Sequence, residues 1–334
     1  MSGVTRILVI RFSSIGDIVL TTPVIRALSQ QLEGETEVHY LTKKNFKTVL
    51  EANPYIHKIH TIEKSVQEVL PELEKIEFDY IIDLHNNIRS SVTKRRLKSL
   101  SFTFRKLNFQ KWLWVNFGLN HMPDLHVVDR YMETLKAFGV QDDGKGLDYF
   151  IPENTQAITL PETHRLGYIA FAIGAAHVGK KLGNERLEEI CKSTIHPIVL
   201  LGAGEADELE GKKLASLFPH VFNACGMASL HQSALCLKDA RVVISGDTGL
   251  MHIASAFGKK IISLWGCTVP GFGMYPYRPH PSSVMLEPEG RDKRPCSKLG
   301  NRCKYGPHSQ CIDQISNDAI SAAIEKLWAQ QTTL

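Results

Sequence analysis

Short apolar runs of strand length alternate with stretches of helical spacing along almost the whole chain, and the alternation runs twice. RILVIRF (6–12), EVHYLT (37–42), IHKIHTI (56–62) and FDYIIDL (78–84) form the first series. LGYIAFAIG (166–174), HPIVLLGAG (196–204), HVFNACG (220–226), RVVISGD (241–247) and KIISLWG (260–266) form the second. Between them lie helical patterns. One spaces Val19, Ile25, Leu28 and Leu32, with a Pro23 that should kink or restart it; another, VDRYMETLKAFG (128–139), closes on Gly139 as a C-cap. Strands separated by helices of this length make parallel, doubly wound sheets. The polar text from Val140 to Arg165 reads as a linker. The expectation is an α/β chain of two Rossmann-like domains, 1–160 and 161–334, facing a cleft.

No apolar stretch is long enough for a membrane-spanning helix, and Arg11 interrupts the first apolar run too early for a signal-peptide core. The seven irregularly spaced cysteines then read as reduced thiols of a cytoplasmic protein. The net charge of +4 is unevenly spread. Leu84 to Pro123 holds no Asp or Glu but carries Arg89, Lys94, Arg95, Arg96, Lys98, Arg105, Lys106 and Lys111, a block of +8 that leaves −4 for the remainder. Such a block is either a solvated face or a docking surface for a polyanion, an anionic membrane or an acidic substrate, with Trp112 and Trp114 beside it. No nucleic-acid motif accompanies it.

Two strand-to-helix corners carry candidate chemistry. In the first, SSIGD (13–17), Gly16 would let the chain turn tightly at the carboxyl end of its strand, where open α/β sheets place ligands. Asp17 is then either a helix cap or a general base. In the second, SGDTGLMH (245–252), Thr248, Gly249 and Leu250 can present backbone N–H groups to an anion at a helix start. Asp247 cannot bind a phosphate but suits a hydroxyl attached to one. His252, one turn in, is a further donor or a core histidine. Lys180 and Lys181, after the strand-end Gly174, suit diphosphate charge. Gly202 and Gly204 begin a dinucleotide fingerprint, but Asp207 stands where its third glycine belongs, which argues against NAD. Cys296, Cys303, His308 and Cys311 invite a zinc reading, yet no C-x-x-C pair is present, so reduced structural thiols are preferred and no metal site is expected. A Walker loop, H-E-x-x-H and G-x-S-x-G are all missing.

Taken together, RILVIRFSSIGDIVLTTPVIRAL, FDYIIDLHNNIRSS, HVVDRYMETLKAFGV and VVISGDTGLMHIASAFGKKIISLWGCTVP resemble glycosyltransferase family 9, the ADP-heptose:lipopolysaccharide heptosyltransferases, over nearly the whole chain. The resemblance implies a GT-B fold with the acceptor in the N-terminal domain and the donor in the C-terminal one. It also implies a last helix, about 317–330, that crosses back to the first domain. The implied reaction is an inverting, metal-independent transfer of heptose from ADP-heptose to the lipopolysaccharide inner core, with no cofactor beyond the co-substrate. Asp17 matches the family's catalytic base. Thr248, Gly249 and Leu250 would hold the diphosphate and Asp247 the sugar, with Gly174, Gly202 and His252 lining the donor site. Lys180 or Lys181 would offset the leaving-group charge. Arg11, Ser14, Gly16, Arg89, Arg95 and Arg96 would orient an acidic acceptor, in peripheral contact with the cytoplasmic face of the inner membrane. The chain departs from many members at Ala175 and Ala176, which replace a hydroxyl, and at Leu182-Gly183, which replace Trp-Pro. The alternatives are transfer from another nucleotide sugar to a surface glycan, and a non-catalytic nucleotide-sugar or polyanion binder. The intact Asp17 argues against the binder.

Overall fold

The structure, a computed structural model, describes residues 3–306 and 310–330. It divides into two units, Met1–Lys106 with Leu125–Pro152, and Leu107–Asp124 with Glu153–Leu334. The division differs from a single cut at residue 160 in both its position and its excursion through 107–124.

In the first unit β1 (Thr5–Ile10), β2 (Thr36–Lys43), β3 (Lys58–Ile62), β4 (Tyr80–Asp83) and β5 (Leu100–Thr103) form a parallel sheet ordered β3-β2-β1-β4-β5. Ile7 to Ile10 of the central strand are fully buried, as a parallel sheet covered on both faces requires. The helices are α1 (Ile15–Val19), α2 (Thr22–Gln31), α3 (Leu70–Leu73) and α4 (Ile88–Leu97). Pro23 falls in the first turn of α2, where its missing N–H costs nothing, so it restarts the helix after α1. Helix α5 (Asn108–Phe117) belongs to the second unit, and α6 (Val127–Met132) returns to the first. The helical path runs on as a 3-10 segment over Glu133–Phe138 and stops at Gly139 in the left-handed region, as the sequence predicts. Residues 140–152 do more than link. The buried Arg26 reaches across to Asp143 at 2.7 and 2.8 Å, to the Gly146 carbonyl at 2.9 Å, and to Asp148, which ties this segment to α2.

In the second unit the chain runs β6 (Ile169–Ala172), α7 (Asn184–Lys192), β7 (Ile198–Leu201), α8 (Glu205–Leu217), β8 (Val221–Asn223), α9 (Leu230–Asp239), β9 (Val242–Gly246), α10 (Gly249–Ala256), β10 (Ile261–Leu264), β11 (Val284–Leu286) and α11 (Asn317–Ala329). Its sheet is parallel and ordered β11-β10-β9-β6-β7-β8. Helix α11 belongs to this second unit. It packs on α7 and on β9 to β11 of its own unit, burying Ile320, Ile324 and Leu327 in the same core as β6 and β7. In both sheets the strand order reverses beside the first strand, between β1 and β4 and between β6 and β9. Those two gaps are the topological switch points, where α/β sheets accept ligands at the carboxyl ends of their strands. No helix among the described residues is long and apolar enough to cross a membrane.

Candidate active site

At the switch point of the first sheet, Arg11 and Asp17 follow β1, while His85 to Arg89 follow β4. Asp17 is the third residue of α1 and completes a capping box: its Oδ2 accepts from the Ser14 backbone N–H at 3.1 Å and from the Ser14 hydroxyl at 2.8 Å. Its Oδ1 receives an Arg11 guanidinium N–H at 2.6 Å. The buried Arg11 is itself fixed, donating to the carbonyls of Ser13 at 2.8 Å and Leu84 at 2.6 Å. Burial pushes the Asp17 carboxyl up, but the Arg11 charge and the Ser14 hydrogen bonds outweigh it and leave the pKa at about 2. Asp17 is thus both cap and ion-pair partner, with 21% of its side chain still exposed to meet a ligand. Gly16 lies inside α1 as an ordinary helical residue, so no tight turn requires it.

The basic block separates into three groups. Arg89, in the first turn of α4, stands exposed at the same edge of the sheet as Asp17, and Arg105 follows the carboxyl end of β5 there. Arg95 and Arg96 lie in the last turn of α4, just before β5 begins, and so sit toward the opposite edge, away from Asp17. Arg96 is also neutralised by Glu74 at 2.8 Å, and Lys94 by the buried Asp83 at 2.8 Å. Lys111 and the two tryptophans belong to the second unit, with the Lys111 ammonium 5.2 Å from the Phe272 ring centre. Of the expected acceptor residues, Arg95 and Arg96 are therefore not brought to Asp17. Beside Asp17 the structure instead places Arg105, Lys106 and His85, a residue of the DLHNN motif that the sequence reading left without a role. Burial, then the charges of Arg11 and Lys106, push His85 down to about 4, so its imidazole is neutral at neutral pH.

At the switch point of the second sheet, the segment after β6 meets the start of α10. Thr248 is the N-cap of α10 and its hydroxyl lies 2.9 Å from that of Ser245, while Gly249 and Leu250 open the helix with their surfaces part exposed. The Asp247 carboxylate receives the Lys180 ammonium at 2.6 Å and the Thr268 hydroxyl at 3.1 Å. Three glycines permit this approach. A Cβ on Gly246 would lie 2.7 Å from the Lys180 carbonyl oxygen, one on Gly179 2.6 Å from that of Gly300, and one on Gly266 2.8 Å from that of Gly179. His252 is buried in the core of α10.

The two adjacent lysines have different partners. Lys181 pairs with the buried Asp207, whose Oδ2 accepts the Ala203 N–H at 3.0 Å. Gly174 and Gly202 make room for that aspartate: a Cβ on Gly174 would meet Asp207 Oδ2 at 2.3 Å, and one on Gly202 would meet Asp207 Cβ at 2.9 Å. Asp207 at the third fingerprint position is thus a structural anchor, with Gly174 and Gly202 making its room and Lys181 its ion pair. Lys180 alone of the pair joins Asp247 and α10. Thr268 was missed by the sequence reading, although its place after β10, in WGCTVP, marks it as a strand-end residue. His308 lies outside the described residues.

With this geometry in place, comparison with known proteins decides the family. The model of glycosyltransferase family 9 (heptosyltransferase) matches residues 66–303, well over half of the chain. This chain belongs to glycosyltransferase family 9. It is 24% identical over 289 residues to lipopolysaccharide heptosyltransferase 1 of Campylobacter coli, covering 79% of this chain and 84% of that one. Among solved structures it is similar to a family 9 glycosyl transferase from Veillonella parvula (TM-score 0.75, 21% identity, 98% of each chain). It is also similar to the E. coli heptosyltransferase WaaC with ADP-2-deoxy-2-fluoro heptose (TM-score 0.69, 19% identity, 96% of this chain and 99% of that one). These likenesses show the shared fold, GT-B, and the family membership makes the chain a glycosyltransferase of the heptosyltransferase type.

Proposed function

We propose that this family 9 chain transfers a heptose from ADP-heptose, with inversion at the anomeric carbon, to an acidic lipopolysaccharide-core acceptor. The observation that carries the reading is the Lys180–Asp247 pair beside the start of α10, at the switch point of the second sheet. The helix N-terminus and Lys180 meet the diphosphate, while Asp247 and Thr268 meet sugar hydroxyls. The E. coli relative solved with an ADP-heptose analogue supports the choice of an ADP-sugar.

In the transfer step the acceptor oxygen forms a bond to the anomeric carbon as the bond to the diphosphate oxygen breaks. The electron pair leaves on ADP, and the acceptor proton passes to Asp17. A carboxylate held near pKa 2 by Arg11 is a weak base. It takes the proton late, once the forming bond has made the hydroxyl acidic. Its value lies as much in position, since Arg11 and Ser14 fix both oxygens. Arg89, Arg105 and Lys106 supply cations for the acceptor's carboxylates and phosphates.

Membrane contact falls to α5, where Phe109, Trp112 and Phe117 form an exposed aromatic cluster, with ring centres 6.0 Å and 5.2 Å apart in the two pairs. The test is calorimetric titration with ADP-heptose, ADP-glucose and UDP-glucose side by side, followed by transfer assays of Asp17→Ala. ADP-heptose is expected to bind most tightly. The variant is expected to lose transfer by about a hundredfold or more while binding the donor within about twofold. A preference for another nucleotide sugar overturns the donor; equal loss of binding and transfer makes Asp17 a structural cap only.

A further inference from the structure

Three of the four clustered cysteines come from the long segment between β11 and α11, which contains no strand and only a 3-10 turn over Ile312–Gln314 among its described residues. The fourth, Cys267, follows β10 and is far removed in sequence. Cys267, Cys296 and Cys311 are fully buried, Cys303 partly. All four Sγ atoms lie within 4.8 Å of one another, and Cys311 Sγ is 3.7 Å from both Cys296 Sγ and Cys303 Sγ. A tetrahedral ion with metal–sulfur bonds of about 2.3 Å has sulfur–sulfur edges of about 3.8 Å, close to the 3.7 Å of these two pairs. Long segments of this kind need something other than secondary structure to hold them.

We propose that Cys267, Cys296, Cys303 and Cys311 bind one tetrahedral, thiolate-coordinated ion, zinc or iron, which anchors the loop behind the donor site. Four soft sulfur ligands in this geometry select those ions. Nearby, the guanidinium of Arg294 donates to the carbonyls of Gly266 at 2.6 Å and Thr268 at 3.0 Å. The site is joined directly to the donor residues. Cys296 N–H donates to the Cys267 carbonyl at 2.8 Å, Cys267 N–H to the Gly179 carbonyl at 3.1 Å, and Gly179 N–H to the Gly300 carbonyl at 2.9 Å. Lys180 follows Gly179, and Thr268, which holds Asp247, follows Cys267. The ion thereby sets the position of Lys180 and Thr268 without touching the reacting atoms. This goes beyond the proposed transfer, and its primary readout does not depend on the donor's identity.

The experiment measures metal per chain by mass spectrometry on the full chain expressed in medium supplemented with zinc and iron, and then on Cys267→Ser, Cys303→Ser and the control Cys225→Ser. Expected are about one zinc or one iron per wild-type and Cys225→Ser chain, and loss of most of it in the other two. Colour from iron–thiolate absorption distinguishes iron from zinc, and cobalt exchanged into the wild type should give the spectrum of a tetrahedral thiolate centre. Chelation of the wild type, which needs no variant to fold, should lower its melting temperature and weaken ADP binding at least about fivefold. Wild-type protein that carries no metal, rejects cobalt and titrates as free thiols or disulfides overturns the proposal. Metal retained at full stoichiometry in Cys267→Ser overturns the four-sulfur assignment.

Discussion

At Asp17 burial and the Arg11 charge compete, and which wins decides the protonation of the one carboxylate assigned to the reaction. The Arg11 charge wins, holding the pKa at about 2, below the ordinary 3.8. A carboxylate so depressed is ionised throughout the range in which the enzyme can be assayed. The wild-type transfer rate should therefore show no acid limb from Asp17 between about pH 4 and 8. Arg11→Met removes the cation but leaves the burial, so the pKa should rise above its ordinary value. An acid limb should then enter the profile, with the rate falling as the pH drops below about 5. A pH–rate profile of both proteins checks this, and a flat profile in the variant would refute the account of Arg11.

The lysine pair gives a second contrast at this scale. Lys181→Ala leaves the buried Asp207 without its cation and should cost about 2 kcal/mol or more of stability, read by denaturant unfolding, with ADP affinity nearly unchanged. Lys180→Ala should weaken ADP binding about tenfold or more. The sequence offered both lysines equally. Lys180 ends a 3-10 turn and Lys181 follows it in extended backbone, so the two side chains leave in different directions, and only the fold says which one reaches Asp247.

Among the elements, α5 is the least legible from sequence and the one that carries the proposed membrane contact. Its apolar side anchors it within the second unit. Trp114 meets the Phe272 ring edge-on at 5.5 Å and lies over Gly271, where a Cβ would come within 2.5 Å of the indole. Val115 packs with Val269 and Phe272. Trp112 faces away and is 49% exposed. The two tryptophans, equal on composition, should behave oppositely. Trp114→Ala should destabilise by about 2 kcal/mol or more. Trp112→Ala should change stability by less than about 0.5 kcal/mol, yet reduce binding to vesicles containing anionic lipid several-fold. Sedimentation with such vesicles and denaturant unfolding separate the two. Unaltered vesicle binding in Trp112→Ala would remove α5 from the membrane contact. The strands show where pattern suffices and where it fails. β7 and the buried parts of β1 and β9 are runs of Ile, Val and Leu that could hardly be anything else, and β6 is an equally buried Ile-Ala-Phe-Ala. β5 and β11 are short edge strands, partly or largely exposed, and lack that signature. Nothing in a linear pattern says that 107–124 leaves one unit for the other.

At the level of the whole molecule, each sheet brings candidate site residues to its own switch point, and the sequence could place them there because strand-end corners are local features. The partners of Thr268 and of the fourth cysteine are not local: Thr268 meets Asp247 because β10 lies beside β9 in the sheet, and Cys267 meets three cysteines of the segment that follows β11, the neighbour of β10 on its other side. The division of labour between the units makes a further prediction. If the second unit alone holds the nucleotide, saturating ADP should stabilise that unit by about 2.7 kcal/mol at a hundred times its dissociation constant. Amide exchange, followed by mass spectrometry, should then slow at the Gly179–Lys180 corner and at the Asp247–Ala256 turn and helix, the proposed diphosphate site. The β1–α1 corner around Ser14 and Asp17 should exchange as before, and slow only when an acceptor is added. Protection of the Asp17 corner by ADP alone would place part of the nucleotide on the first unit and move Arg11 from the acceptor's side to the donor's.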